Sequence, residues 1–223
     1  MIDIASGIIR INNEMERSEG EIKVAVFDLN GTFYNKSSKD EFYKFILTKS
    51  PQRLHYYFQM LYYKALKELH QIRKTEFKEN FFNYLDNLSP EQVEAYAKEF
   101  WEEEYPVNFN KELKSRFDQL KKEGVHIYCA TGGLELYVKP LFEKYAIDGF
   151  AGTRVHYENS TYKVIGEACK DDEKIKRLDA HFKGKPYRVV EAYSDSKEPI
   201  LDKADKAYLI KDDKIVPYTG QQT

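Results

Sequence analysis

The chain has 223 residues, 42% hydrophobic and 32% charged, with 35 Lys and Arg against 37 Asp and Glu for a net charge of -2. That length suffices for one sizeable domain, or for a core domain with an insert. The balanced charge excludes the clustered basic excess of a nucleic-acid binder, and no stretch approaches the ~18 consecutive apolar residues of a membrane-spanning helix. Cys129 and Cys169 form neither a disulfide framework nor a zinc pattern. Two reduced thiols in a cytoplasmic protein are expected.

Residues 1–21 lack the basic start and long apolar run of a signal peptide and are read as an N-terminal leader. Lys23–Asp28 (KVAVFD) is a short apolar run closed by an acid and by Asn30-Gly31. It predicts a buried strand ending in a turn. From residue 38 to 105 the pattern changes, and no glycine occurs. Leu54, Phe58, Leu61, Ala65 and Leu69 fall at helical spacing, as do Val93, Ala97, Phe100 and Trp101. Ser89-Pro90-Glu91-Gln92 has the residues of a capping box with Pro at the first helical position. The block is read as a helical insert over 38–105, dividing a core of residues 22–37 and 106–219.

Alternation of strand and helix resumes after Pro106. Leu113, Phe117 and Leu120 mark a helix that Gly124 stops. Val125–Ala130 predicts a strand ending at Thr131-Gly132-Gly133, and Leu134–Tyr145 a helix that Pro140 should kink or delay. Asp171–Phe182 predicts a helix with Ile175, Leu178 and Phe182 inward. Strands follow at Tyr187–Tyr193, closed by Ser194-Asp195-Ser196, and at Ala207–Ile210. This alternation implies an α/β fold: a Rossmann-like parallel sheet with helices on both faces, plus the inserted α-helical cap.

Asp28, Thr131 and Asp195 each end or directly follow an apolar strand. Ligands in open α/β sheets bind beyond the carboxyl ends of strands. Two carboxylates and a hydroxyl would meet there.

These residues carry a resemblance. FDLNGT (Phe27–Thr32) resembles the first motif of the haloacid-dehalogenase superfamily, usually FDxDGT. CATGG (Cys129–Gly133) resembles the second motif. CKDDEKIKRL (Cys169–Leu178) looks like the third-motif region of the phosphoserine-phosphatase-like branch, where a Cys precedes the motif lysine by five residues, here Lys174. The preceding stretch Gly152–Lys170 also fits that branch, and AYSDS (Ala192–Ser196) with PILDKAD (Pro199–Asp205) is similar to its fourth motif. The resemblance implies a Mg²⁺-dependent phosphomonoester phosphatase acting on a small phosphorylated substrate. Asp28 would be the nucleophile, forming an aspartyl-phosphate. Mg²⁺ would sit on Asp28, Asp195 and the backbone carbonyl of Asn30. Thr131 and Gly132 would bind the phosphoryl group, and Lys174 would neutralise it.

Two departures matter. The second aspartate of the first motif, which protonates the leaving group and activates water, is Asn30, and an amide does neither. The further acid of the fourth motif falls on Pro199, with Glu198 as a stand-in. Weakened turnover is expected. The alternatives are a non-catalytic relative that binds a phosphorylated ligand or partner through the same crevice, and a dehalogenase. The Tyr-rich helix Arg53–Leu69 suits the core face of the cap, or an amphiphilic phosphate such as a lipid headgroup if Tyr56, Tyr57, Tyr62 and Tyr63 face the crevice.

Overall fold

The computed structural model describes residues 20–71 and 82–220. Most of the proposed leader, and part of the 38–105 block, therefore lie outside the described residues.

A six-stranded sheet organises the molecule. Its strands are β1 (Ile22–Phe27), β2 (His126–Leu134), β3 (Gly149–Thr153), β6 (Tyr187–Ser194), β7 (Lys206–Lys211) and β8 (Lys214–Pro217), in the order β3-β2-β1-β6-β7-β8. All neighbours are parallel except the edge hairpin β7–β8. Strands β4 (Val155–Glu158) and β5 (Thr161–Val164) form a separate antiparallel hairpin. Strand β1 lies mid-sheet, and Val24 to Phe27 are all buried, as a strand covered on both faces requires.

The period of two along the strands sorts the core. Ala25, Phe27, Ile127 and Cys129 join one apolar cluster, while Val24, Val26, Tyr128 and Ala130 join another. The second cluster is closed by α6 (Asp172–Phe182) and α7 (Pro199–Asp202), through Leu178, Phe182, Ile200 and Leu201. The first is closed by α4 (Lys111–Lys122) and α5 (Glu135–Tyr145). Helices thus cover both faces.

The 38–105 block supplies α1 (Ser38–Lys49), α2 (Leu54–Glu68) and α3 (Pro90–Glu104). Ser89 caps α3 with the full capping box expected of its sequence. Phe42, Ile46, Val93, Phe100 and Trp101 of α1 and α3 belong to the same apolar cluster as Phe27. Trp101 donates its indole N–H to the carbonyl of Tyr137 on α5 at 2.6 Å, and Phe42 stacks on the Tyr137 ring at 4.9 Å. The block's interior is continuous with one side of the core.

Several boundaries differ from expectation. Strand β2 runs on through Thr131-Gly132-Gly133 to Leu134, because β3 continues to pair with it across a bulge. Helix α5 runs through Pro140 and ends at Ala146, which takes a left-handed conformation. On α6 the buried positions are Lys174, Leu178 and Phe182, with Ile175 only partly buried. No helix among the described residues is long and apolar enough to cross a membrane.

Candidate active site

Strands β2, β1 and β6 are adjacent, and the chain leaves β1 to opposite sides on reaching each neighbour. Such a switch in strand order opens a crevice at the carboxyl ends. A cleft of about 650 Å³ lies there, lined among others by Asp28, Asn30, Gly132, Lys174, Asp195 and Glu198.

Asp28 is 9% exposed, and its N–H donates to the Tyr193 carbonyl, extending the β1–β6 pairing to the strand tip. Three residues on, the chain turns at Gly31, whose φ is +68°. A Cβ at Gly31 would lie 2.5 Å from Asp195 Oδ2. Glycine therefore serves twice, for the backbone conformation and for the close approach of Asp195 to the turn.

Lys174 enters from the first turn of α6, in place of an apolar residue on the buried stripe. Its Nζ donates to Asp28 Oδ1 at 2.7 Å and to Glu198 Oε2 at 2.6 Å, with 2% of its side chain exposed. Burial disfavours the ammonium, but the two carboxylates outweigh that and raise its pKa, so it stays charged. Burial also lifts Asp28 to about 6, against the pull of Lys174 and with further lift from Glu198 and Asp195. Asp28 and Glu198 thus flank the Lys174 ammonium, with Asp195 close enough to act on Asp28, while Lys39, Lys170 and Lys197 also line the cleft.

Asp28, Asp195 and the Asn30 carbonyl offer hard oxygen donors at one turn, which suits Mg²⁺. Among the described residues no group of three or more His, Cys, Asp and Glu side chains is placed to hold a metal.

Asn30 is fixed at both ends. Its Oδ1 accepts the backbone N–H of Ser38, at the start of α1, at 2.7 Å. Its Nδ2 donates to Thr131 Oγ1 at 3.1 Å. The obligatory backbone donor decides which end of the amide faces which way. Thr131 Oγ1 also accepts the N–H of Gly133 at 3.2 Å, and Thr131 is fully buried. The hydroxyl thus stands behind Asn30, and the wall of the cleft on that side is Gly132 and Gly133.

Two residues emerge that the motifs did not single out as site members. Glu198 was only a stand-in for a missing acid, yet it is the second carboxylate on Lys174. Thr153 donates to the Gly132 carbonyl at 3.0 Å and accepts the Cys169 N–H at 3.2 Å. It ties the glycine bulge of β2 to the loop that leads into α6. Tyr56, Tyr57, Tyr62 and Tyr63 do not line the cleft.

A model of the haloacid dehalogenase-like hydrolase family matches residues 25–198. No curated protein matches the chain significantly. Among solved structures, a protein of unknown function from Bordetella pertussis Tohama I aligns with a TM-score of 0.72 at 15% identity, over 85% of this chain and 90% of that one. A phospho-aspartyl intermediate analogue of phosphoserine phosphatase aligns at 0.55 and 18%, over 85% and 86%. A phosphoserine phosphohydrolase-like protein from Francisella tularensis subsp. tularensis SCHU S4 aligns at 0.56 and 21%, over 84% and 87%. At these identities the likeness shows the fold.

Proposed function

Because the chain belongs to the haloacid dehalogenase-like hydrolase family, we propose that it is a Mg²⁺-dependent phosphomonoester phosphatase with turnover weakened at proton transfer. The observation that carries this reading is the buried Lys174–Asp28 pair at the tip of the central strand. The substrate class is a small phosphorylated molecule, and the two free buried thiols suit a cytoplasmic setting.

Asp28 Oδ1 is held by Lys174, which leaves the other carboxylate oxygen to attack phosphorus. The ester oxygen departs with the bonding pair, and Asp28 becomes an acyl phosphate. Lys174 faces the charge of the transferring group. When bound, Mg²⁺ on Asp28, Asp195 and the Asn30 carbonyl would screen the repulsion between carboxylate and phosphate. Thr131 Oγ1 lies buried behind Asn30, where it accepts from the Asn30 amide and the Gly133 N–H, so its part is to hold Asn30 and the Gly132-Gly133 wall that faces the phosphoryl group. Asn30 has no proton to give the leaving group and no base for the water that cleaves the acyl phosphate. Both steps then draw on solvent.

The test is hydrolysis of an aryl phosphate with Mg²⁺ and with chelator, against Asp28→Ala as control. An activated leaving group needs little protonation, so product should appear in a burst and then slowly. Asn30→Asp should raise steady turnover by ~10²–10⁴. A second reading, ligand binding without turnover, is favoured by the structural hydrogen bond at each end of the Asn30 amide. It takes over if neither the chain nor Asn30→Asp hydrolyses any of a broad panel of phosphomonoesters.

A further inference from the structure

The end of the sheet away from the cleft carries a second convergence of side chains. His126 opens β2, and by the strand's period of two it shares a side with Tyr128, the side that α6 covers. His181 stands in the last turn of α6. The two rings meet tip to tip, with Nε2 3.1 Å from Nε2. His181 also rests on the first residue of β3, where a Cβ on Gly149 would lie 2.4 Å from the ring's Cε1. Glycine there gives the ring its place. The Tyr128 ring lies 5.1 Å from that of His181, and the Phe182 ring 5.2 Å from that of His126. Both histidines remain partly exposed, so a small ion can reach them.

Two imidazole nitrogens this close repel unless something positive lies between their lone pairs. A proton on one of them serves, as a hydrogen bond. A metal ion shared by both also serves. Two imidazoles bound tetrahedrally to Zn²⁺ at ~2.0–2.1 Å hold their nitrogens about 3.3 Å apart, within a few tenths of an ångström of the separation here. Burial holds both histidines below the ordinary value. His126 and Lys183 press His181 the same way, and Asp148 pulls both rings back. At neutral pH both rings are therefore neutral, the form that ligates. Asp148 Oδ2 accepts the Ile127 N–H at 2.8 Å, so this carboxylate adds negative potential beside the pair rather than a third ligand. The place is remote from the proposed Mg²⁺ site. His126 is five residues before Thr131 on β2, ~16 Å along the strand, and His181 is seven residues after Lys174, ~10 Å along the helix. Imidazole also selects a softer ion than the carboxylates of the cleft do.

We propose that His126 and His181 bind one Zn²⁺ ion between their Nε2 atoms, with water completing the shell. The ion ties the end of α6 to the start of β2, and so anchors the helix that presents Lys174 at its opposite end.

The experiment is calorimetric titration of the untagged, metal-free chain with Zn²⁺ at pH 7.5, with Mg²⁺ in saturating excess throughout. One Zn²⁺ should bind per chain with a Kd of about 10⁻⁶–10⁻⁴ M, since two ligands supply on the order of half what a four-ligand structural site does. At a hundredfold excess over Kd the Tm should rise by roughly 5–10 °C. Long-range proton–nitrogen spectra should show the Nε2 resonances of both rings shifting together. His126→Gln and His181→Gln should each weaken binding at least ~10-fold, as removal of one of two ligands requires. Gly149→Ala should do the same with both ligands present, because its Cβ displaces the His181 ring. His156→Gln should bind as the unsubstituted chain does. His181 is partly exposed, so His181→Gln should keep the far-ultraviolet circular dichroism of the fold. Three results would overturn the proposal: no Zn²⁺ uptake up to ~1 mM, uptake that His126→Gln and His181→Gln leave intact, or a shift confined to one ring. None reads turnover, so the zinc site and the phosphatase reading fail separately.

Discussion

Lys174 has two carboxylate partners, and they are not equivalent. Asp28 is the proposed nucleophile, whereas Glu198 only holds the ammonium in place. Glu198→Gln keeps a neutral acceptor and loses the charge-assisted bond, worth ~1.5–3 kcal/mol. The expected result is a ten- to hundredfold fall in kcat/KM for an aryl phosphate, with the fold intact by circular dichroism. Asp28 itself makes a stability prediction. With its pKa lifted from 3.8 to about 6, the folded chain keeps a proton that the unfolded chain has released. That contribution is fully present below pH 4 and is lost as pH rises through 6. Above pH 6 the ionised carboxylate is a cost. In chelator-treated protein at pH 7.5, Asp28→Asn should therefore stabilise by ~2–3 kcal/mol, shrinking towards zero near pH 4. Denaturant titrations at the two pH values measure it, and a destabilised variant at pH 7.5 would contradict it.

At the level of elements, the turn after β1 and the bulge in β2 build the cleft. Gly31→Ala would force a left-handed alanine and a Cβ into Asp195. The backbone strain alone is of order 1–3 kcal/mol, and on the proposed metal site the displaced Asp195 should remove the thermal stabilisation by Mg²⁺ expected of the unsubstituted protein. Melting curves with and without Mg²⁺ test both effects. Much of this was legible in the sequence. The apolar run into Asp28 and the following Asn-Gly each reflect a local rule, while Lys174 was singled out by the resemblance of Cys169–Leu178 to a third-motif region. The bulge was not legible, because Thr131-Gly132-Gly133 reads as a strand end until β3 is known to pair beyond it. Nor was Thr153, whose two hydrogen bonds join loops distant in sequence. The half-buried ion pair of Arg116 with Glu191 on β6 was equally hidden, since nothing local marks either partner.

Across the whole molecule, the alternation of strands and helices predicted the sheet, and periodicity placed the helices. What periodicity omits is which apolar faces merge. Residues 38–105 read as an insert set apart, yet α1 and α3 share one apolar cluster with the sheet and α5. Trp101 is the chain's single tryptophan and lies at that junction. Its fluorescence therefore reports on cap and core together. In denaturant, tryptophan fluorescence and far-ultraviolet circular dichroism should trace one coincident transition. An earlier fluorescence transition would show the cap loosening by itself. Phe100→Ala, in the same cluster, should lower the single midpoint by the equivalent of ~3–5 kcal/mol.

The turn that holds Asn30 also governs how the protein ages. Asn followed by Gly is a sequence in which the backbone nitrogen readily attacks the side-chain amide, releasing ammonia and leaving aspartate or isoaspartate. Here that attack is restrained from both sides. The Gly31 N–H donates to the Lys36 carbonyl, and the Asn30 amide is tethered to Ser38 and Thr131. The pair should outlast the same dipeptide in an unstructured peptide. Stored folded protein should then keep its mass and its slow turnover. In unfolded protein the clock should start, and any aspartate it leaves at position 30 would supply the carboxylate that the folded site lacks.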